Sequence, residues 1–402
     1  MPFTTIKRKA RARLTRRPAC PIPQWRKRIA LAFTLPPEEP DPDALAVAEA
    51  LRALRHENAM ALGVLRQAFA AGRACPAMTA NALSDEAERC VGVALEIVLG
   101  AMERRRGPAP GRCAVLALGN LGGREFRFGS DLDLVFTFER DAPDYCPHAA
   151  AWFEEAAREL VGALSHHPDL GALYEVDMRL RPHGGDGVLA VERQAFAAYY
   201  LETCWTWELQ AITRTRVVAG DADVGEAVMQ AAREAVGHRR GRSPDEVMAD
   251  VREMRALLEE EHPAACAWDV KRAAGGLIDI EFIAQAMQLA LAQGQPLLPH
   301  PSTPEALDRL AACGLLCADD ARELTRAWWL QLLVLQHQRA MGVEPAALAE
   351  QPAARLEGLL EMATAPSMAS LGDELAAAQR GARALFDILV RGGSVEAARI
   401  AA

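Results

Sequence analysis

The amino-acid sequence predicts an α+β fold: a mixed sheet with helices against it, preceded by helices and followed by an all-helical region. Three strand-like runs surround one helix-like run, an order typical of such a sheet. Before these runs, and beyond Gln194 almost to the end, apolar residues recur at helical spacing. With 402 residues, 50% of them hydrophobic, the chain can bury a large core and divide into two or three domains.

Residues 1–42 are predicted to form a basic arm and a linker. Ten of the 45 basic residues lie within Lys7–Arg28, a stretch without acidic residues. A disordered, solvated tail is favoured over an arm that contacts RNA or a membrane, and the stretch lacks the apolar core of a secretory signal. The sequence PPEEPDP at 36–42 follows it and is expected to break any helix.

Two stretches are predicted to be helical on the spacing of their apolar residues. Residues 43–108 form a segment that leads into the core, with Leu51 and Leu54, then Ala87, Val91 and Ala94, at helical intervals. Residues 194–402 form a C-terminal helical bundle. Its helices are expected over Asp245–Glu261, Gly276–Ala292, Ala321–Met341 and Leu371–Val390.

Residues 109–193, between these helical stretches, are predicted to carry the sheet. Strand-like runs at Cys113–Leu118, Asp131–Phe138 and Tyr174–Leu180 surround a helix near Ala149–Ser165. The helix is expected to pack against the sheet that these runs form.

Charge and cysteine content favour a cytoplasmic protein that binds neither nucleic acid nor a membrane. Outside Lys7–Arg28 the chain carries 35 basic and 54 acidic residues, whereas phosphate backbones are bound by clustered lysine and arginine. No apolar run approaches the roughly 18 residues of a membrane span. The nine cysteines are scattered and lack C-x-x-C spacing, which indicates reduced thiols rather than disulfides or a zinc site.

The segment Leu118–Phe138, LGNLGGREFRFGSDLDLVFTF, contains the strongest candidate site. Asp131 and Asp133 lie two residues apart on a predicted strand and therefore project from one face, where the two anions repel each other. Divalent cations would relieve this repulsion, and hard oxygen ligands suit Mg²⁺ together with substrate phosphates. The alternative is a hairpin whose acidic face lies in solvent, and the adjoining glycine-rich loop argues against it.

That loop supplies the second part of the candidate site. Gly119, Gly122, Gly123 and Gly129 permit a close approach of the backbone to a ligand, and Ser130 adds a hydroxyl group beside it.

A third acid, Asp177, lies on the third strand-like run. Arg179 and Arg181 follow at two-residue spacing, so an acid and two guanidinium groups should line one side of the strand. The arginines could hold phosphate oxygens in a bidentate manner, or they could pair with Glu125 or Glu175; the sequence leaves both open. For Asp177 the alternative is a cross-strand pair with arginine on a solvated sheet.

Glu281 lies near the buried face of a predicted helix, about 40° from Leu277 when counted at about 100° per residue. An acid in this position needs a partner. Lys271, Arg214 or a ligand could supply it, and a structural ion pair is favoured.

Four motifs in order resemble those of the glutamine synthetase adenylyltransferase family. Gly119–Phe136 is similar to the family's G-K-L-G-G-x-E-x-x-x-x-S-D-L-D-L-I-F, and Tyr174–Pro182 to Y-x-V-D-x-R-L-R-P. Trp205–Asp221 resembles W-x-W-E-x-Q-A-L-x-R-A-R-x-V-x-G-D, and Asp269–Gln285 resembles D-I-K-x-x-x-G-G-I-x-D-I-E-F-x-x-Q. Together the motifs cover roughly Leu51–Leu289.

The resemblance implies a polymerase-beta-like nucleotidyltransferase fold with residues 109–193 as its catalytic core. It implies transfer of AMP from ATP, with Mg²⁺, to a tyrosine of glutamine synthetase, a reaction that controls nitrogen assimilation. Asp131 and Asp133 would hold two metals, and Asp177 would bind the catalytic metal and accept the proton of the attacking hydroxyl. The glycine-rich loop would lie against the nucleotide's phosphates. A PII signalling protein and glutamine are implied as regulators.

The chain resembles the carboxyl-terminal, AMP-attaching half of the family's proteins. Its WTWELQA stands where the AMP-removing half typically reads D-W-E-R-Y-A. Three rivals stay open: a phosphorolytic deadenylylase, another nucleotidyltransferase such as a PII uridylyltransferase, and an inactive regulatory remnant. Two positions depart from the family pattern, because Asn120 replaces a lysine near the expected phosphates and Gly129 replaces a serine.

Overall fold

The computed structural model describes residues 42–141, 148–165, 172–295 and 298–391. The predicted basic arm and linker lie outside these residues, apart from Pro42. The residues from Glu49 onward belong to one compact unit, which contains the sheet and the site.

Two long helices, α1 (Pro42–Ala70) and α2 (Pro76–Arg106), precede the sheet. Pro76 stands in the first turn of α2, where a backbone N–H would have no partner within the helix. The apolar residues Ala87, Val91 and Ala94 of α2 are completely buried. The helical pattern predicted for this stretch is therefore confirmed.

Five strands form a mixed sheet: β1 (Gly111–Ala117), β2 (Leu132–Arg140), β3 (Val176–Asp177), β4 (Ala190–Glu192) and β5 (Arg216–Gly220). The strand order is β3-β2-β1-β5, and β4 also pairs with β2. β1 is antiparallel to both β2 and β5, whereas β3 and β4 run parallel to different parts of β2. Leu132, Leu134 and Phe136 of β2 are buried, as the sequence predicts for the residues between and after the two acids.

Five helices connect these strands or lie beside them: α3 (Gly119–Gly122), α4 (Ala149–Leu164), α5 (Arg193–Ala198), α6 (Thr206–Ile212) and α7 (Ala222–His238). α4 and α7 both pack against β2. On α4, Phe153 stacks on Phe138 of β2 with ring centroids 4.7 Å apart. Such an aromatic pair contributes about 0.5–1.5 kcal/mol beyond its buried area.

The C-terminal helices are α8 (Pro244–Glu261), α9 (Leu277–Leu291), α10 (Thr303–Ala312), α11 (Ala318–Met341), α12 (Ala353–Ala363) and α13 (Met368–Phe386). Successive helices pack on one another from α8 to α11, and α11 also contacts α13 and α2. The four helices expected in this region are confirmed within a few residues at each end. None of the described helices is long and apolar enough to span a membrane.

Three strands differ from the sequence-based expectation, and one of them, β4, is a short strand where none was expected. β5 lies beyond Gln194, in a stretch expected to be helical, and extends the sheet past residue 193 by pairing with β1. Its adjacent valines, Val217 and Val218, favour a strand, so the signal is present but short. β3 has only two residues, because the backbone N–H of Arg179 donates to the carboxylate of Asp177 (2.8 Å) instead of to a neighbouring strand.

Candidate active site

Three carboxylates converge at one end of β2. The parallel pairing of β2 with β3 places Asp133 directly opposite Asp177, and Asp131 lies two residues before Asp133. One oxygen from each of the three carboxylates lies within 4.8 Å of the others. The structure therefore brings together all three acids that the sequence singled out.

These carboxylates differ in exposure and in electrostatic environment. Asp131 is exposed, whereas Asp133 and Asp177 are half-buried. Burial, followed by the negative charges of Asp131 and Asp177, raises the pKa of Asp133 to about 7, although Arg214 and Lys271 oppose this shift. A carboxyl group with such a pKa is strained when ionised and would be relieved by an added cation.

Asp177 has a positive partner of its own. Its carboxylate accepts hydrogen bonds from the Nε of Arg179 (2.9 and 2.8 Å) and from the backbone N–H of the same residue. Burial raises the pKa of Asp177, but these hydrogen bonds and the charge of Arg179 outweigh burial and hold the pKa below its usual range. The Arg179 side chain is 67% exposed, so this guanidinium group lies at the solvent edge of the site.

The Arg181 side chain has partners within its own turn. Its buried guanidinium group donates to the backbone carbonyl oxygens of Met178 (2.6 Å), Gly187 (2.8 Å) and Val188 (2.8 Å). Arg181 therefore braces the turn after β3, and its contact with phosphate stays a prediction. Neither Arg179 nor Arg181 forms the alternative pair with Glu125 or Glu175.

The four glycines of the glycine-rich loop lie in different environments. Gly119 adopts φ +56° beside the site, and a Cβ atom there would collide with the carboxylate of Asp133. Gly129 has φ +68° and is exposed, with open space where a Cβ would stand. Gly122 and Gly123 are buried against Arg214. Their contact with a ligand stays a prediction.

The loop that leads to Asp131 is held by α11, which sequence reasoning did not connect with the site. Gln336 donates to the carbonyl oxygen of Phe126 (3.1 Å) and accepts from the N–H of Phe128 (3.3 Å). Arg339 donates to the carbonyl oxygen of Phe128 (3.2 Å) and to the hydroxyl of Ser130 (3.3 Å). The available signal was the presence of Gln331, Gln336 and Gln338 in a largely apolar stretch of helix, a pattern that indicates buried polar partners.

A buried network of opposite charges lies behind the loop. Arg214 pairs with Glu125 and, at 3.5 Å, with Glu281, while Arg127 pairs with Glu281 at 2.7 Å. The structural ion pair predicted for Glu281 is confirmed, with Arg214 as one of its predicted partners and Arg127 as an additional one. Lys271, the other candidate, forms no ion pair with Glu281.

The donor set of the acidic cluster fits a hard divalent cation. Three carboxylates can offer several oxygens to one or two ions, and burial together with the charges of Asp131 and Asp177 makes the ionised form of Asp133 unfavourable without a cation. A mixed sheet that brings three carboxylates together beside a tight glycine turn defines a domain of the nucleotidyltransferase class.

The particular family follows from comparison with known proteins. A family model described as glutamate-ammonia ligase adenylyltransferase matches residues 21–231, which is more than half of the chain. This chain therefore belongs to the glutamate-ammonia ligase adenylyltransferase family. A second model, described as GlnD PII-uridylyltransferase, matches residues 246–389, which comprise most of the C-terminal helices.

Curated relatives carry the name bifunctional glutamine synthetase adenylyltransferase/adenylyl-removing enzyme. The protein from Rhodopseudomonas palustris strain TIE-1 is 34% identical over 87% of this chain and 36% of its own length. Those from Caulobacter vibrioides and Xanthomonas campestris strain B100 are each 37% identical, over 78% and 71% of this chain and 32% of their own lengths. The chain thus spans about a third of the length of the curated relatives it matches, consistent with a single catalytic half.

Proposed function

We propose that this chain transfers AMP from ATP to a tyrosine of glutamine synthetase and so controls nitrogen assimilation. The convergence of Asp131, Asp133 and Asp177 beside the Gly119 turn is the observation that carries the proposal. The names of the curated relatives supply the nucleotide and the protein substrate. The proposal includes a PII protein as regulator. It also includes a cytoplasmic location, with which the free thiols of the cysteines in the described part of the chain agree.

Each acid has a distinct role in the proposed reaction. Asp131 and Asp133 would hold Mg²⁺, which would neutralise charge at the α-phosphate and lower the pKa of the attacking hydroxyl group. The phosphates lie over Gly119, Gly129 and Ser130. Arg179, with its exposed side chain, is free to turn from Asp177 towards a phosphate oxygen.

Asp177 accepts the proton of the substrate tyrosine in this proposal. A phenol has a pKa of about 10, so little phenolate is present at neutral pH and a nearby base assists the reaction. The tyrosine oxygen forms a bond to the α-phosphorus while the bond from that phosphorus to the bridging oxygen breaks. Pyrophosphate leaves with the bonding electrons, and the tyrosine retains AMP.

Incubation with Mg²⁺, labelled ATP and glutamine synthetase of the same organism, followed by mass spectrometry, tests this function. We expect a tyrosine that carries AMP, and no product with Asp133→Asn. Absence of labelled product with a folded wild-type chain would contradict the proposal and favour the inactive remnant.

Two other reactions use the same site and are distinguished by their substrates. Removal of AMP by phosphorolysis would require adenylylated glutamine synthetase and phosphate, and would release ADP. Uridylyl transfer is the second candidate, because the C-terminal helices match a PII-uridylyltransferase model. That model covers none of the three acids, and labelling with UTP in place of ATP decides between the two nucleotides.

A further inference from the structure

Two cations from the C-terminal helical region lie beside the acidic cluster. Arg339, on α11, donates to the hydroxyl of Ser130, the residue next to Asp131. Lys271 lies on the segment before α9, and its ammonium group is close enough to Asp133 to oppose the rise in the pKa of that carboxyl. Arg339 therefore lies beside the cluster, and the charge of Lys271 acts on one of its acids.

In the described part of the chain, no carboxylate forms an ion pair with either of these two cations. Arg127, Arg179 and Arg214 each form an ion pair with an acid. Arg339 meets only a carbonyl and a hydroxyl oxygen among its described hydrogen bonds. Among the residues that the structure describes, none accepts a hydrogen bond from the ammonium of Lys271 or forms an ion pair with it.

The position of Lys271 is unfavourable without an anion. The side chain is half-buried, and burial followed by the like charges of Arg127 and Arg339 lowers its pKa, although Glu281 opposes this. A partly buried ammonium group beside two guanidinium groups normally requires a compensating charge. The turn Gly119–Gly122, GNLG, supplies no charged side chain of either sign.

The arrangement is complementary to a metal-bound polyphosphate. The three carboxylates would face the cation, and the two unpaired basic groups would face phosphate oxygens on its other side. We propose that Lys271 and Arg339 bind the β- and γ-phosphates of the nucleotide and replace the positive charge that Asn120 does not provide. This inference rests on the proposed function and names the residues that hold the leaving pyrophosphate.

Binding of α,β-methylene-ATP and of AMP, each with Mg²⁺ and measured by calorimetry, tests the inference without turnover. Lys271→Gln should weaken binding of the ATP analogue at least about tenfold, since hydrogen bonds to charged groups are the stronger ones, and leave AMP affinity unchanged. Lys271→Arg should retain most of the affinity. Arg272→Gln is the matched control, because it removes the same charge from the adjacent residue, which is exposed and pairs with Asp269 at 3.4 Å.

A second measurement uses the wild-type chain alone. Inorganic tripolyphosphate with Mg²⁺, which lacks the nucleoside, should displace the ATP analogue. Unchanged analogue affinity in Lys271→Gln, equal losses for the analogue and AMP, or failure of tripolyphosphate to compete would overturn the inference and leave the proposed function standing. Wild-type protein that binds neither nucleotide would overturn both.

Discussion

The acidic cluster and the buried ion-pair network lie close together but differ in how far their charges are neutralised. In the network, Glu125, Arg127 and Arg214 have side chains that are 5% exposed or less, and each charge meets an opposite one. In the cluster, Asp131 and Asp133 face another acid, and the pKa of Asp133 is raised to about 7. The network therefore pairs each of its charges, whereas among the described residues neither Asp131 nor Asp133 forms an ion pair, at the place where a ligand is expected.

Removal of Arg214 should have the largest effect, and the effect should be on stability. Arg214→Met would leave Glu125 and Glu281 without one of their cations in a buried setting, which costs about 3–5 kcal/mol for a broken buried pair. Chemical denaturation of the variant measures the loss. Arg326→Met, at an arginine that is 81% exposed, should change little, and equal stability of the two variants would show that the network is not structural.

Asp177→Asn should change chemistry more than binding. If Asp177 accepts the proton of the tyrosine, its loss should slow AMP transfer by roughly 10²–10⁴-fold. Mg·ATP should still bind, because Asp131, Asp133 and the loop remain in place. Single-turnover rates and calorimetric affinities provide the comparison, and equal loss of nucleotide binding in the Asp131, Asp133 and Asp177 variants would contradict this division of roles.

Asp131→Asn and Asp133→Asn should abolish transfer while the protein stays folded. Each removes a charged ligand from the proposed cation site, and loss of one group that stabilises charge typically costs about 10²–10³-fold in rate. The matched control is Asp319→Asn, at an acid that is 81% exposed on α11. A near-normal rate in either cluster variant would contradict its assignment as a metal ligand.

The metal-free protein should lose stability as pH rises, and Asp133 should be a cause. Its pKa of about 7 in the folded state exceeds the ordinary 3.8, so the folded state binds the proton more tightly and stability falls between about pH 4 and pH 7. Asp133→Asn should therefore stabilise the protein by at least about 1 kcal/mol at pH 8 with chelator present, and hardly at all near pH 4. A gain in stability that does not change with pH would show that the ionisation of Asp133 is not its cause.

Local chemistry was predictable from the sequence, whereas contacts between distant segments were not. The two-residue spacing of Asp131 and Asp133 fixes their common face, and the apolar residues that alternate with and follow them predict the buried strand β2. The pairing of the sheet is not encoded locally: β5, which pairs with β1, is a five-residue run, and β3, which pairs with β2, ends where the carboxylate of Asp177 accepts from the backbone N–H of Arg179.

The same holds at the site. Arg181 and the glycines Gly122 and Gly123 match motifs in sequence, and only the structure shows that they contact backbone carbonyl oxygens and Arg214. Gln336 and Arg339 reach the loop from more than 200 residues away, so no local spacing could associate them with it.

Titration of the wild-type chain with Mg²⁺ at pH 8 tests most directly whether the acidic cluster binds a cation that neutralises its negative charge. We expect that Mg²⁺ binds and that the melting temperature rises as the Mg²⁺ concentration exceeds the dissociation constant, and that Asp133→Asn, already relieved of repulsion, loses most of this response. The same increase in melting temperature in wild type and Asp133→Asn, or no binding of Mg²⁺ to folded wild-type protein, would contradict this expectation.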